Sequence, residues 1–261
     1  MTIIYIFTFI FGTIMGSFLN VVILRLKKNK SILKNRSHCP LCKKNLYWYE
    51  LIPIISFLIQ LGKCRKCHKK ISWQYPLVEF FTGVLFLLAI IYQSPFYGIG
   101  SIVFFTFLLI AICFLIILFV YDLKYYLVPN IIIFPIIILT FIFDIYLWLS
   151  TGLFSVFSSS VFAAIIAGGF FLVLVLISKE RWMGTGDVFI GILMGLILGF
   201  PQVLVALFLA FWIGAIFSII LMVAKKKNLK SKIPFGPFLV LATIIFLFWG
   251  KLLLSLYLGL F

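Results

Sequence analysis

Apolar residues run along this chain in long blocks broken by short polar stretches, at approximately 3–24, 77–93, 99–121, 130–149, 154–177, 188–200, 203–224 and 238–260. Blocks of this length suit the roughly 30 Å of hydrocarbon in a bilayer. The alternating pattern of a barrel strand is absent. Backbone groups in lipid must find their hydrogen bonds within their own segment, so each block predicts a helix. The pattern therefore implies an all-α polytopic membrane protein with about eight transmembrane helices. The sixth block is short and ends at Pro201, which a smaller tilt, a locally thinned bilayer or a partly re-entrant path would accommodate. One substantial polar stretch remains, so the expected division is a first span at 1–24, a loop domain at 25–76 and a membrane domain at 77–261.

Composition strengthens this picture. The 261 residues are 65% hydrophobic and 11% charged, far from the roughly 25% charged of soluble domains. The net charge of +16 does not point to nucleic acid, because the basic residues sit between apolar blocks and form no continuous basic face. Of 22 Lys and Arg, 13 lie between Arg25 and Lys70 and five between Lys225 and Lys232. Lys124, Lys179 and Arg181 fall in two further loops of the same parity, and Lys251 alone falls elsewhere. Threading the chain with its amino terminus outside puts all but Lys251 on one side, which the positive-inside rule makes cytoplasmic. The first block has its cations after it rather than before it and reads as an uncleaved span. No internal sequence repeat stands out.

Inside the polar stretch, Cys39-Pro-Leu-Cys42 and Cys64-Arg-Lys-Cys67 form two C-x-x-C pairs. Four soft thiolates at this spacing suit a tetrahedral Zn²⁺, and a loop with little apolar core would gain much of its fold from such a staple. A redox pair or free thiols are the alternatives, and a cytoplasmic location disfavours disulfides. His38 and His68 adjoin these cysteines and read as solvated neighbours, while Cys113 reads as a small apolar packer within the third span.

The chain has six acids: Glu50, Glu79, Asp122, Asp144, Glu180 and Asp187. An acid at a span boundary is commonly a solvated end residue, and Asp144 is read that way. Asp122 closes the third span and Asp187, in Gly184-Thr185-Gly186-Asp187, opens the sixth. Alternating passage through the bilayer brings both to the cytoplasmic edge. Two carboxylates in a low-dielectric site share a proton, one acting as base toward water and the other polarising a scissile carbonyl. Gly184 and Gly186 would let a peptide backbone pass close to Asp187. The helix ends suggest that Asp187 is favoured as the anion and that Asp122 keeps the proton, offset by Lys124.

Several segments carry a family likeness. They are Gly16-Ser17-Phe18-Leu19-Asn20 with Arg25, the paired cysteines, Trp48-Tyr49-Glu50-Leu51-Ile52-Pro53 with Ser56, and Ile71-Ser72-Trp73-Gln74-Tyr75-Pro76-Leu77-Val78-Glu79. The Asp122-to-Pro129 segment, Gly184-to-Asp187 and Ile233-Pro234-Phe235-Gly236-Pro237-Phe238 follow. Gly-x-Gly-Asp alone is a weak tetrapeptide, but the ordered set is specific. The chain resembles the bifunctional prepilin peptidases, or type IV leader peptidases, of the membrane aspartic class. The resemblance implies cleavage of basic leaders from prepilins or pseudopilins at the cytoplasmic membrane, with Asp122 and Asp187 in the catalytic positions. It also implies methylation of the new amino terminus with S-adenosylmethionine. One departure is Phe189, where the family commonly has a lysine.

A basic leader meets few acids on this basic face, so Glu50 and Glu79 are candidates for substrate handling or methyl transfer. Trp48, Tyr49 and Trp73 could contact the cofactor or anchor at the interface. The rival readings are another membrane aspartic protease with the same tetrapeptide, a transporter with proton-binding acids, and a zinc-stabilised scaffold whose basic loops hold anionic lipid. Self-association into a homo-oligomer is left open.

Overall fold

The computed structural model describes residues 2–28, 31, 37–93, 99–224 and 233–259. Lys30, Lys34, Arg36 and the cations from Lys225 to Lys232, on which the positive-inside count leans, lie outside the described residues. Among the described residues the chain is helical, with two isolated β-bridges and no strand. The helices are α1 (Thr2–Lys27), a short 3-10 turn (Trp48–Leu51), α2 (Ile55–Ile59), α3 (Gln74–Gln93), α4 (Ile99–Tyr125), α5 (Asn130–Thr151), α6 (Phe154–Ser178), α7 (Thr185–Leu198), α8 (Gln202–Val223) and α9 (Gly236–Leu258).

Six of these, α1, α3, α4, α5, α6 and α8, are long and apolar enough to cross a membrane. Two more are apolar but shorter over their described length, Thr185–Leu198 and Gly236–Gly250. The 14 residues of α7 rise only about 21 Å, short of a full hydrocarbon core. The chain is thus a polytopic all-helical membrane protein, with the weak sixth block appearing as the shortest of the apolar helices.

Two compact units divide the chain, Met1–Ile117 and Leu118–Phe261. In the first, α1 and α3 lie side by side along most of their length. Their backbones approach because glycines of α1 lie at the contact: a Cβ on Gly16 would stand 2.7 Å from the Glu79 Cα, and one on Gly12 would stand 2.7 Å from the Gly83 Cα. In the second, α6 and α7 make the closest pair, and Gly195 sits directly on the backbone of Ala164. With lipid as solvent there is little hydrophobic gain in helix association, so such contact through small residues is what holds spans together.

Asp144 departs from the boundary role expected of it. It lies within α5, buried, with a hydrogen bond to Ser160 of α6 and its Oδ2 without a partner. The helix runs two turns beyond it, so it is an interior residue rather than a solvated end.

Candidate active site and metal centre

The catalytic candidates belong to the second unit. Apolarity lapses at Asp122, but α4 continues through Lys124 to Tyr125, because residues 122–125 have no helix breaker. Tyr126 then takes a left-handed conformation, φ +58°, and its N–H bonds back to the Asp122 carbonyl at 2.8 Å. Pro129 caps the start of α5. Between these helices Val128 packs on Gly186, where an added Cβ would come within 2.5 Å of the Val128 Cγ2. The segment after one aspartate is thereby seated on the residue before the other.

Asp187 occupies the first turn of α7, with its Oδ2 accepting the Gly184 N–H at 3.3 Å. Gly184 itself is extended, φ −89°, and an added Cβ there would meet only the Gly186 nitrogen, at 3.9 Å, so Gly186 is the position of close approach and Gly184 is not. Asp122 is likewise buried and accepts the backbone N–H of Gly236, the first residue of α9. A Cβ on Gly236 would collide with the Asp122 Oδ2 and stand 2.8 Å from the Ile190 Cδ1, one turn beyond Asp187. Three helix ends therefore converge, and the charge of Asp122 reaches Asp187.

This geometry alters the expected split between the two acids. Asp187 has the helix amino end anticipated for an anion, but Asp122 faces one too, that of α9. Helix ends thus do not separate them, and the two are best treated as one coupled pair. In the sequence Gly236 belongs only to the Ile233-to-Phe238 segment; no periodicity or charge marks it, and only the tertiary arrangement reveals the donor. Phe189, the departure from the family pattern, packs edge-on against Phe134 of α5 at 5.0 Å, so an aromatic helix contact occupies that position.

The cysteines lie in the first unit and meet. The four Sγ atoms are all within 4.8 Å of one another, with Cys39 and Cys67 3.9 Å apart and Cys42 and Cys64 4.0 Å apart. Tetrahedral Zn–S bonds of about 2.3 Å imply sulfurs about 3.8 Å apart, so the set fits a metal ion. Each C-x-x-C pair is the same turn. Cys39 N–H bonds to Lys44 O and Lys43 N–H to Cys39 O, as Cys64 N–H bonds to Lys69 O and His68 N–H to Cys64 O. The isolated bridges His38 to Asn45 and Lys63 to Lys70 close both. The loop thus contains a structural repeat offset by 25 residues, from 39 to 64 and from 43 to 68. Left-handed Lys43 and His68 occupy matching turn positions, so His68 is a turn residue beside a complete ligand set.

Backbone N–H groups of Cys67 and Lys66 hold the Cys64 thiol down to about 6 against the opposing effect of burial. Cys67 also gains a backbone donor, from Lys69, but burial and the three neighbouring sulfurs push it up to about 11. Four sulfurs this close resist losing all their protons without a cation among them.

Glu50 and Glu79 are both engaged within this unit. Burial favours the neutral form of Glu50, yet the Tyr47 N–H at 2.9 Å and the Lys44 ammonium at 3.0 Å hold it below the usual carboxylate range. Glu79 accepts the Ile54 N–H at 2.7 Å and a hydrogen bond from Ser17. Trp48 and Trp73 are exposed, and Phe57 packs on Trp73 at 5.1 Å.

Comparison with known proteins places this arrangement. The family described as "Bacterial Peptidase A24 N-terminal domain" matches residues 10–93, and the "Type IV leader peptidase family" matches residues 109–219. A "Prepilin leader peptidase/N-methyltransferase" of Bacillus subtilis (strain 168) is 33% identical over 249 residues, covering 95% of this chain and 96% of that protein. The chain belongs to the type IV leader peptidase family. Other members carrying the same printed name include one from Aeromonas salmonicida (strain A449), 28% identical over 279 residues, covering 96% of this chain and 92% of that protein. A Myxococcus xanthus (strain DK1622) member is 51% identical over a shorter stretch of 81 residues, covering 31% of this chain and 24% of that protein. No solved structure matches the chain. The first family match spans the four cysteines and the second spans both Asp122 and Asp187.

Proposed function

We propose that this chain is a membrane aspartic peptidase that removes the leaders of prepilins or pseudopilins, with Asp122 and Asp187 as its catalytic pair. The supporting observation is that two buried carboxylates from distant helices converge, each accepting one fixed backbone donor. The pair shares a proton. Its ionised member takes a proton from water as that water attacks the scissile carbonyl, while the protonated member hydrogen-bonds the carbonyl oxygen. Collapse of the tetrahedral intermediate returns a proton to the departing amine. Gly236 and Gly184 N–H groups hold the two carboxylates in place.

The substrate's apolar segment enters from the bilayer, since the basic loops would repel a basic leader. Alternation along the chain puts the ends of α4, α7 and α9 that carry Asp122, Asp187 and Gly236 on the side of the basic loops. That side is the cytoplasmic face of a bacterial inner membrane, where anionic lipid faces the lysines, and the amino terminus lies outside. Cys39, Cys42, Cys64 and Cys67 would hold Zn²⁺, whose closed thiolate shell supplies folding energy to the loop rather than reactivity.

The relatives' name extends the proposal to methylation of the new amino terminus, for which S-adenosylmethionine supplies the methyl group. No cofactor pocket is assigned: the carboxylates of Glu50 and Glu79 are held by the loop's own groups. The test is incubation of the purified chain with a prepilin-like peptide and S-adenosylmethionine, followed by mass measurement of the mature terminus. Cleavage abolished in Asp122→Asn and Asp187→Asn supports the pair; an intact leader with the unaltered chain defeats the proposal, and cleavage without added methyl mass removes its second half.

A further inference from the structure

The first unit carries a feature outside both the aspartate pair and the cysteine cluster. Between the two cysteine turns, residues 48–61 form the 3-10 turn and α2, joined by Ile52, Pro53 and Ile54. Ile54 has φ +59° and ψ −52°, and the Ile55 N–H bonds to the Pro53 carbonyl at 2.5 Å. That is a γ-turn of the strained, positive-φ kind, at a β-branched residue. Its N–H is taken by the buried Glu79.

Glu79 fixes the depth of this turn. It lies five residues into α3, about 7.5 Å along the axis from Gln74, and within the candidate span Gln74–Tyr92. The turn is therefore held beside the first turns of the span, within one side chain's reach of Glu79.

The segment's outer surface is apolar. Ile55, Leu58 and Ile59 share one face of α2, and Leu58 and Ile59 are 62% and 68% exposed. Trp48 before them is 78% exposed and Leu61 after them 84%. The opposite side of α2 turns inward, with Phe57 against Trp73 and Gly62. So large an apolar surface on a loop in water would be anomalous. In its first turns α3 exposes Leu77, Phe80 and Phe81, which belong to the lipid-facing surface of a span. Exposed Lys63, Arg65, Lys66, Lys69 and Lys70 follow directly, whereas the loop's one acid, Glu50, is buried in its ion pair.

We propose that residues 48–61 are an interfacial foot, seated in the headgroup layer of the bilayer that α1 and α3 cross, with Glu79 as the clamp that holds it at that depth. Apolar side chains reach the acyl boundary while the adjoining cations meet anionic headgroups. The same cations argue against a basic peptide as the occupant. The foot is independent of any proteolytic activity.

The test uses the full chain in vesicles of phosphatidylglycerol and phosphatidylcholine. The emission of Trp48 is isolated as the difference between the unaltered chain and Trp48→Phe. The expected result is strong quenching by phospholipid brominated near the glycerol end of its chains, weaker quenching by tail-end bromine and little by aqueous iodide. Iodide quenching without bromolipid quenching overturns the proposal. So does iodide access that disappears only when a prepilin-like peptide is added, since the face would then serve a peptide. Glu79→Ala is expected to reduce bromolipid quenching of Trp48 at least about twofold, with zinc content per chain reporting that the cysteine turns remain folded. Glu79→Gln, whose amide oxygen can still accept the Ile54 N–H, is expected to retain it. Equal quenching in all three chains removes Glu79 as the clamp.

Discussion

Replacing Gly236 by alanine probes the peptidase reading without touching either aspartate. Alanine is a good helix former, and Gly236 is not among the residues with positive φ, so α9 itself should persist. What changes is space: the new methyl collides with the Asp122 Oδ2 and stands 2.8 Å from the Ile190 Cδ1. Either the carboxylate swings away or the start of α9 withdraws, and both outcomes break the hydrogen bond from the Gly236 N–H to Asp122. A hydrogen bond to a charged group contributes about 1.5–3 kcal/mol, and if it is retained into the transition state its loss lowers kcat/KM by roughly 10- to 150-fold. The assay is cleavage of a prepilin-like peptide in vesicles, with metal content of the cysteine loop as a control read from the other unit. A Gly236→Ala enzyme within about threefold of the unaltered one would refute the claim that this backbone donor positions the carboxylate.

Other consequences follow from the same contacts. Gly186→Ala drives a methyl against Val128 and should cut cleavage severalfold, whereas the double variant Gly186→Ala/Val128→Ala should recover part of it; cleavage kinetics of the three chains give the coupling. Cys42→Ser should abolish stoichiometric zinc, measured by metal analysis, and expose the loop to protease while peptide cleavage persists. Glu50, held below the ordinary carboxylate range, contributes stability that is present above its unfolded pKa and lost as pH falls through the folded one. The loop's zinc-release temperature should therefore fall with acidification below the usual carboxylate pKa, and Glu50→Gln should flatten that dependence; an unchanged slope would sever the link.

The membrane fold was legible because an apolar block must become a helix in lipid, but the ends were not. The block at 99–121 stops at the first charge, whereas α4 runs to Tyr125, since a helix continues until the backbone turns, here at left-handed Tyr126 shortly before Pro129. The four-cysteine cluster was legible because metal chemistry constrains ligand spacing directly. Its internal repeat was not, because the two turns share their cysteines and backbone bonds but place Lys43 and His68 at the matching left-handed position. The meeting of Asp122 with Asp187 followed from parity of membrane crossings, which fixes a side but not a contact. Gly236 was invisible as a donor for a similar reason: its role lies in an N–H, which every residue but proline carries, and in a missing side chain that only a neighbour from α4 makes consequential.

Scarcity of acid in this chain has a physical counterpart in how the acids are held. Asp122, Asp187, Glu50 and Glu79 each accept a backbone N–H, from Gly236, Gly184, Tyr47 and Ile54 respectively. A carboxylate near hydrocarbon cannot rely on water, and a backbone donor fixed by its own helix or turn satisfies it without the entropy of ordering a second side chain. Such a bond constrains both partners, so each acid also locates a piece of backbone: the start of α9, the turn before α7, the 3-10 turn and the γ-turn. Asp122 and Asp187 differ from the others in facing a second acid, where one donor apiece leaves room for a shared proton. The same device thus serves as a clamp at Glu50 and Glu79 and becomes a candidate for acid and base chemistry only at Asp122 and Asp187, where two carboxylates meet.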